Sequence, residues 1–320
     1  MKLQTIFELM IQAGMKADPR GQKQINKILD KYKKKEKKLD KDEKLFFDKE
    51  RKWNPYGDTR IMNGTGKEEI KTLMVGIDIN TPEILLADRL REKGEKIDAI
   101  MGHHPEGRAF ADLHKVLPLQ VDLLANIGVP VNISEGHLSK RIDKVTCAIH
   151  SDNLFRTEQA AEILGIPLFN CHTPADNMVW EYMEKKICKR EYDALEDVVN
   201  AIHKIPEYKQ YAQLGNPALI ANGRRDSRPG KVVASEFTGG TTGPEEFMEI
   251  QARAGVGTIL TMHTSQNHLK IAKEHYINII QCSHIASDNI GVNLMLDVIQ
   301  KKEKNLKTID VSGFMRVKRG

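Results

Sequence analysis

Residues 97–105 read Ile97-Asp98-Ala99-Ile100-Met101-Gly102-His103-His104-Pro105. An apolar run of strand length ends in glycine, two adjacent histidines and a proline. Proline has no amide hydrogen to give a ladder, so the strand stops there. Both imidazoles then stand at a strand's C-terminal end, where open α/β sheets place their ligands. Neighbouring side chains on a strand point to opposite faces. The pair can therefore reach two metal ions, or one ring can bind while the other packs. A histidine pair alone is weak. It gains weight from a second pattern that occurs twice further on, a strand leading into His-x-x-x-Asp-Asn. The two copies are His172-Thr173-Pro174-Ala175-Asp176-Asn177 and His284-Ile285-Ala286-Ser287-Asp288-Asn289.

Upstream of the histidine pair, Thr72–Ile79 reads as a strand. Thr81 can cap a helix, with Pro82 at its first position and Glu83 in its first turn. That helix runs to about Lys93 and stops at Gly94. Strand, helix and strand with short connections form a βαβ unit, hence parallel pairing and a right-handed crossover. Downstream come a loop at Glu106-Gly107-Arg108, a helical stretch to about Asn126 and a strand over Val129–Ile133. The stretch from His137 to Asp152 fits neither template well. A helix over Thr157–Leu164 stops at Gly165, and a short strand Pro167–Cys171 leads to His172 and a helix from near Asn177. Residues 187–228 are mixed and polar, and Gly223–Gly230 reads as an exposed turn.

A second run follows. Val232–Phe237, Gly257–Met262 and Ile277–Cys282 read as strands. Between them lie the loop Gly239-Gly240-Thr241-Thr242-Gly243, a helix from Pro244 to Gly255 and another over Asn267–Glu274; a last helix carries Ile290, Leu294, Met295, Val298 and Ile299. Thr72–His104 and Val232–His263 share one order of elements, and each ends in a strand followed by histidine. Leu168–Asn177 and Ile279–Asn289 share another. Two shared features in the same order point to an internal duplication. The expected fold class is α/β: two pseudo-symmetric halves with mostly parallel sheets facing a central metal cleft. The expected segments are an N-terminal helix and Lys-rich arm (1–66), a first half (67–186), a connection (187–230) and a second half (231–320).

Within the arm, Leu3, Ile6, Phe7, Met10 and Ile11 recur at helical spacing and suggest a helix ending near Gly14. Residues 21–52 are rich in Lys, with acids interleaved, and read as a solvated helix; Trp53–Asp58 reads as a loop. The chain of 320 residues is 40% hydrophobic and 29% charged, which suits a globular protein. Its net charge of +5 is local: residues 1–70 hold 18 basic and 12 acidic side chains, and the rest hold 31 and 32. That argues against a protein coated in nucleic acid. A nucleic-acid contact is confined to the arm, which has few aromatics to stack on bases. Four scattered cysteines without a Cys-x-x-Cys fit a reducing cytosol. No apolar run approaches the ~18 residues of a membrane span, and no signal peptide is evident. The expected location is cytoplasmic.

The ligand set follows from the motifs. Four-residue spacing brings imidazole and carboxylate to one centre at His172/Asp176 and again at His284/Asp288. With His103 and His104 there are four imidazoles and two carboxylates. Such a set suits two divalent ions, with Zn, Fe or Mn as candidates. A paired-metal site shares a bridging group and activates water for hydrolysis, and either Asp can be the bridge. The bland alternative is that Asp176 and Asp288 merely cap helices. His137 and His150-Ser151-Asp152-Asn153 are rival ligand candidates. His263 ends a strand as His103 does; it is a candidate acid/base on the substrate, or a packed structural histidine. Arg224, Arg225 and Lys231 can meet phosphate or lie in a solvated loop. There is no P-loop and no Rossmann fingerprint.

The order βαβ-Gly-His-His-Pro, then His-x-x-x-Asp, then a distal His-x-x-x-acid resembles the NGG-one-interacting factor three-like family, whose members are often labelled GTP cyclohydrolase one type two homologues. The resemblance covers about residues 1–15 and 68–302. It implies a two-part α/β fold, a dinuclear metal centre in the cleft and commonly a ring-shaped hexamer. It places the ligands on His103, His104, His172, Asp176, His284 and Asp288. The chain departs from the family where the distal acid is Asp288 rather than Glu, and where the Lys-rich segment 21–52 replaces a shorter connection. The stretch between His137 and Asn153 is also longer than usual. Two functions are expected from different classes. One is a metal-dependent hydrolase acting on a nucleotide-like or other C–N or phosphoester substrate. The other is a non-catalytic metal-binding regulatory or interaction protein.

Overall fold

The computed structural model describes residues 1–319; Gly320, the last residue of the segment taken as the second half, lies outside them. Helix α1 (Leu3–Ala17) opens the chain and buries Leu3, Ile6, Phe7, Met10 and Ile11, as their spacing requires. It runs past Gly14 because that glycine is a packing site, not a stop. A Cβ there would lie 2.4 Å from the Pro174 Cβ. Helix α2 (Gly21–Glu36) carries the Lys run and buries only Ile25. Two short 3-10 turns follow at Glu43–Phe46 and Lys49–Lys52, so the arm is not one helix to residue 52. Trp53–Arg60 is irregular, as expected, yet Asn54, Tyr56, Asp58, Thr59 and Arg60 are buried. Arg60 is held there by Asp48 at 2.6 Å and Glu50 at 3.3 Å.

Strands β1 (Ile61–Asn63), β2 (Thr72–Gly76), β3 (Ala99–Gly102) and β4 (Leu168–Asn170) build the first sheet. Helix α3 (Thr81–Glu92) links β2 to β3. Its cap is Asn80 rather than Thr81, and the Glu83 carboxylate accepts the Asn80 N–H at 2.8 Å. Helices α4 (Gly107–Ala111), α5 (Leu119–Ile127), α6 (Val131–His150) and α7 (Arg156–Ile163) lie between β3 and β4, and α8 (Thr173–Met183) follows β4. The expected strand over Val129–Ile133 does not form. Its β-branched Val131 and Ile133 sit exposed on the first turn of α6. Ser134, Leu138 and Ile149 point inward at helical spacing, and that longer period wins over local β propensity. The same helix fills the stretch from His137 that had matched no template. Helix α8 starts at Thr173, four residues before Asn177, with Pro174 in its first turn.

The polar connection holds elements that its composition hid: α9 (Leu195–His203), α10 (Pro206–Gln213) and β5 (Leu219–Asn222). The second sheet continues through β6 (Val232–Glu236), α11 (Phe247–Arg253), β7 (Thr258–Thr261), α12 (Gln266–Glu274), β8 (Asn278–Gln281) and α13 (His284–Lys302). A last strand, β9 (Lys307–Asp310), pairs parallel with β2 in the first sheet.

The sheet orders are β1-β4-β3-β2-β9 and β5-β8-β7-β6. In each, the first strand is antiparallel to its neighbour and the others pair parallel. Leaving β9 aside, one order maps onto the other strand for strand, so the two halves are alike. The corresponding helices α8 and α13 pack against each other. Gly291 makes that approach possible, because a Cβ there would lie 2.6 Å from the Ala175 carbonyl oxygen. Both parallel sheets therefore direct their C-terminal strand ends toward one region between the halves. Among the described residues no helix is long and apolar enough to cross a membrane.

Candidate metal centre

His103 and His104 follow β3 directly, and His172 lies two residues beyond β4. His284 opens α13, just beyond β8, and Asp176 and Asp288 sit one turn into α8 and α13. All six line one cavity of about 300 Å³ between the halves. Because the histidine pair lies past the end of the strand, strand alternation does not apply. The two rings lie 5.0 Å apart, centre to centre, and enter the same cavity.

Each first-half imidazole is oriented by a partner on Nδ1. His103 donates to the Cys171 carbonyl at 2.9 Å, His104 pairs with Asp78 at 2.6 Å, and His172 with Asp58 at 2.7 Å. Nε2 is thereby turned to the cleft in all three, the arrangement in which outer partners fix ligand histidines. Asp58 also accepts the Thr173 hydroxyl at 2.6 Å. Burial alone would raise its carboxyl, but His172, Thr173 and Arg60 hold it below its ordinary value.

The two motif carboxylates face these nitrogens. Asp176 lies 3.4 Å from His103 Nε2 and 3.7 Å from His172 Nε2. Asp288 presents Oδ1 to His103 at 3.6 Å, and Oδ2 to His284 at 3.2 Å and His104 at 3.6 Å. Asp176 Oδ1 and both oxygens of Asp288 are buried without a hydrogen-bond partner. Such atoms are costly in a folded protein unless something positive meets them. Three groupings have donor atoms close enough to hold a metal ion: His103/His104/His172, His104/His284/Asp288 and His103/Asp176/Asp288. The local field agrees. Burial works to lower the His103 pKa, yet Asp288 and Asp176 drive it well above its ordinary value. Burial opposes ionisation of Asp288, but His103, His284 and His104 hold its carboxyl far below the usual range. The residues present thus fit a cation between the carboxylates. Cys171 contributes its carbonyl and not its sulfur, since burial, then Asp176, keeps the thiol protonated.

His263 lines the same cavity and its ring stacks edge-on to His284 at 4.1 Å. Burial, then His284, lowers its pKa to about 4, so it is a neutral imidazole. The Thr261 hydroxyl holds its carbonyl and accepts its N–H, which fixes the turn out of β7. The rival candidates stand apart. His137 faces a neighbouring cavity, and His150 is exposed at the end of α6 with Asp152 beyond it. Arg224 and Arg225 are exposed and pair with Asp226 and Glu196, and Lys231 meets the Ile127 carbonyl.

Sequence reasoning missed three residues at this site. Asp58 comes from a segment read only as a loop. Asp78 was placed inside a strand that in fact ends at Gly76, where the Ile77 N–H turns to the Ser312 carbonyl at 3.1 Å. Glu236 ends β6 and lines the cavity, and burial pushes its carboxyl up to about 7. A bulge between Val233 and Glu236 aims it. The one available signal was position: Asp78 and Glu236 both lie at parallel strand ends.

No family model and no curated protein matches the chain. Solved structures do. A NIF3 superfamily protein from Sphaerobacter thermophilus is 25% identical, covering 81% of this chain and 92% of that one with a TM-score of 0.70. HcgD from Methanocaldococcus jannaschii, in its reduced form, is 13% identical over 79% and 87% with a TM-score of 0.49. A Bacillus cereus protein related to NIF3 is 11% identical over 81% and 92% with a TM-score of 0.40. Duplicated halves, strand-end histidines meeting in one cleft, and the Sphaerobacter likeness along most of both chains agree: the structural neighbours are NIF3 superfamily proteins, and this chain's architecture fits the NIF3-like family.

Proposed function

We propose that the protein is a dinuclear metal-dependent hydrolase acting on a nucleotide-like or other C–N or phosphoester substrate. The observation that carries this reading is the set of orphaned carboxylate oxygens on Asp176 and Asp288, facing four imidazoles in one open cleft. His103, His104, His172, Asp176, His284 and Asp288 would hold two divalent ions, with Zn, Fe or Mn matching an all-nitrogen-and-oxygen donor set. Asp176 and Asp288 each turn their two oxygens to different imidazoles, so either would be able to serve both ions. When bound, the ions supply Lewis acidity and a water nucleophile active at neutral pH. The chain's own residues do the rest. Asp58, Asp78 and the Cys171 carbonyl hold three imidazoles by Nδ1 and aim Nε2 inward. Neutral His263 and the raised Glu236 carboxyl stand on the second-half wall, placed to accept or hold a proton on the substrate. The cytoplasm suits a protein whose four cysteines are free, and a homo-oligomer, commonly a hexamer, is the assembly that the resemblance implies.

The test is elemental analysis of the purified chain beside His103→Ala and Asp288→Ala, with hydrolysis screened on nucleotides, phosphodiesters and cyclic amides. About two divalent ions per chain, lost in both variants together with an activity, is the expected result. A chain that carries no divalent ion after growth and reconstitution with all three candidates would overturn the reading. Tightly held metal without any hydrolysis would assign the site to the non-catalytic alternative.

A further inference from the structure

A second cavity of about 520 Å³ adjoins the metal cleft. The two have walls in common: His263 lines both, and the loop Gly240-Thr241-Thr242-Gly243 runs from one into the other. One side of the second cavity is helix α6. His137, Lys140, Arg141 and Lys144 lie there at spacings of three, one and three residues, which puts them along one face. Arg141 spends only Nε, donating to the Thr242 carbonyl at 3.1 Å, and this leaves its two terminal nitrogens for a ligand. The opposite end opens at Thr264 and Ser265, where the nine-residue helix α12 begins with Ser265 as its cap. The positive end of a helix dipole therefore adds to the basic face. Glu245 and Glu246 also line the cavity, but the Glu245 carboxylate accepts from Asn267 at 3.0 Å. Three permanent cations against two acids leave the lining positive.

We infer that this cavity receives the phosphate groups of a small-molecule substrate whose reacting group lies over His103, His104 and Asp288. The inference rests on the proposed hydrolase reading only for that last part; the anion site stands on α6 itself. The geometry suits a phosphate chain. Lys140 and Lys144 are exposed and can swing onto it, while half-buried Arg141 is fixed by Thr242 and offers its planar fork. The glycine loop has left-handed backbone at Gly239 and Gly240, where a Cβ would strike Gln120 and Val116 at 2.6 Å. It is thus held as a thin wall between phosphate end and metal end. The function would follow in class: a nucleotide or another phosphorylated metabolite, gripped by its phosphates and cut elsewhere.

Calorimetric titration with inorganic pyrophosphate tests this on the full chain. It is run on the metal-loaded protein, on chelator-treated protein, on a Lys140→Ala/Lys144→Ala variant and on a Lys34→Ala/Lys35→Ala variant of the arm. Pyrophosphate is expected to bind the chelator-treated protein. The α6 variant should weaken it about tenfold or more, and the arm variant should leave it unchanged. Elemental analysis of the α6 variant should match the parent, because neither lysine is among the proposed ligands. Binding that vanishes with the metal but ignores Lys140 and Lys144 would overturn the anion site and leave the metal reading standing. Equal weakening by both lysine pairs would overturn it as well, by assigning the effect to net charge. Lysine-dependent binding in a chain that holds no metal would sink the hydrolase reading alone.

Discussion

The two halves share a strand order but not a chemistry. Registers make the comparison residue by residue: Gly76 pairs with Gly102 in the first half, and Glu236 with Thr261 in the second. The residues after Gly102 are His103 and His104, and those after Thr261 are Met262 and His263. The first half thus offers two strand-end imidazoles among its proposed ligands where the second offers a thioether and a neutral imidazole. It also braces its imidazoles through Asp58, Asp78 and the Cys171 carbonyl. His284 is the exception, half-exposed and close to His263. The difference teaches a division of labour. In the proposed reading the first half is the rigid ligand holder. The other keeps one His-x-x-x-Asp and turns its remaining strand ends, Glu236 and His263, toward whatever enters the cleft.

If bracing is what separates the halves, removing it should act through the metal. Asp58 is fully buried and touches no proposed metal position, yet it holds His172. Asp58→Asn keeps the size and drops the charge. It should weaken metal affinity about ten- to a hundredfold, the usual cost of losing an outer partner. A competition titration against a chelator measures it. Unchanged affinity would mean that His172 needs no brace, and the two halves would differ in sequence only.

Much of this was legible in the chain, and the reasons are physical. The strand end marked by Gly102-His103-His104-Pro105 is a local signal, because glycine and proline punctuate the backbone wherever they stand. Repetition of His-x-x-x-Asp gave the duplication. What stayed hidden depends on distant partners. Asp58 is a brace only because β1 lies against β4 and brings residues 58 and 172 together. Strand β9 is exposed or half-buried along its length, so no apolar run announced it; its partner is β2, more than two hundred residues earlier. Val131 and Ile133 looked like a strand because β-branched residues favour one, and only the inward spacing of Ser134, Leu138 and Ile149 settles the helix.

The seam between the halves is the next place to press. Gly291→Ala adds a Cβ 2.6 Å from the Ala175 carbonyl oxygen and 3.0 Å from its carbon. Backbone cannot rotate out of the way, so α8 and α13 must separate. Overpacking of this kind costs about 1–3 kcal/mol. Thermal melts should show the loss. Metal retention should fall with it, because Asp176 adjoins Ala175 and Asp288 lies one turn before Gly291. A variant as stable as the parent, with metal unchanged, would show that the halves are not held at this crossing.

The smallest expected effect tests the open half by itself. Burial raises the Glu236 carboxyl from 4.5 to about 7, while the Gly243 N–H, at 3.2 Å, and Arg141 pull the other way. The folded chain therefore keeps a proton that the unfolded chain releases between these two values. Stability must fall as pH rises through that window, and the cost is complete only above it. Glu236→Gln removes the titration. The variant should match the parent below about pH 4.5 and exceed it above pH 7 by on the order of 2 kcal/mol, a discounted conversion of the shift because the side chain is partly exposed. Chemical denaturation across that range gives the difference directly. Gly76, at the matching position in the first half, has nothing to titrate, so this contribution has no counterpart there. A constant gap at every pH would mean that the Glu236 carboxyl keeps its ordinary value in the folded chain and is ionised at neutral pH. It would then be a fixed charge on the cleft wall and could not hold a proton for the substrate.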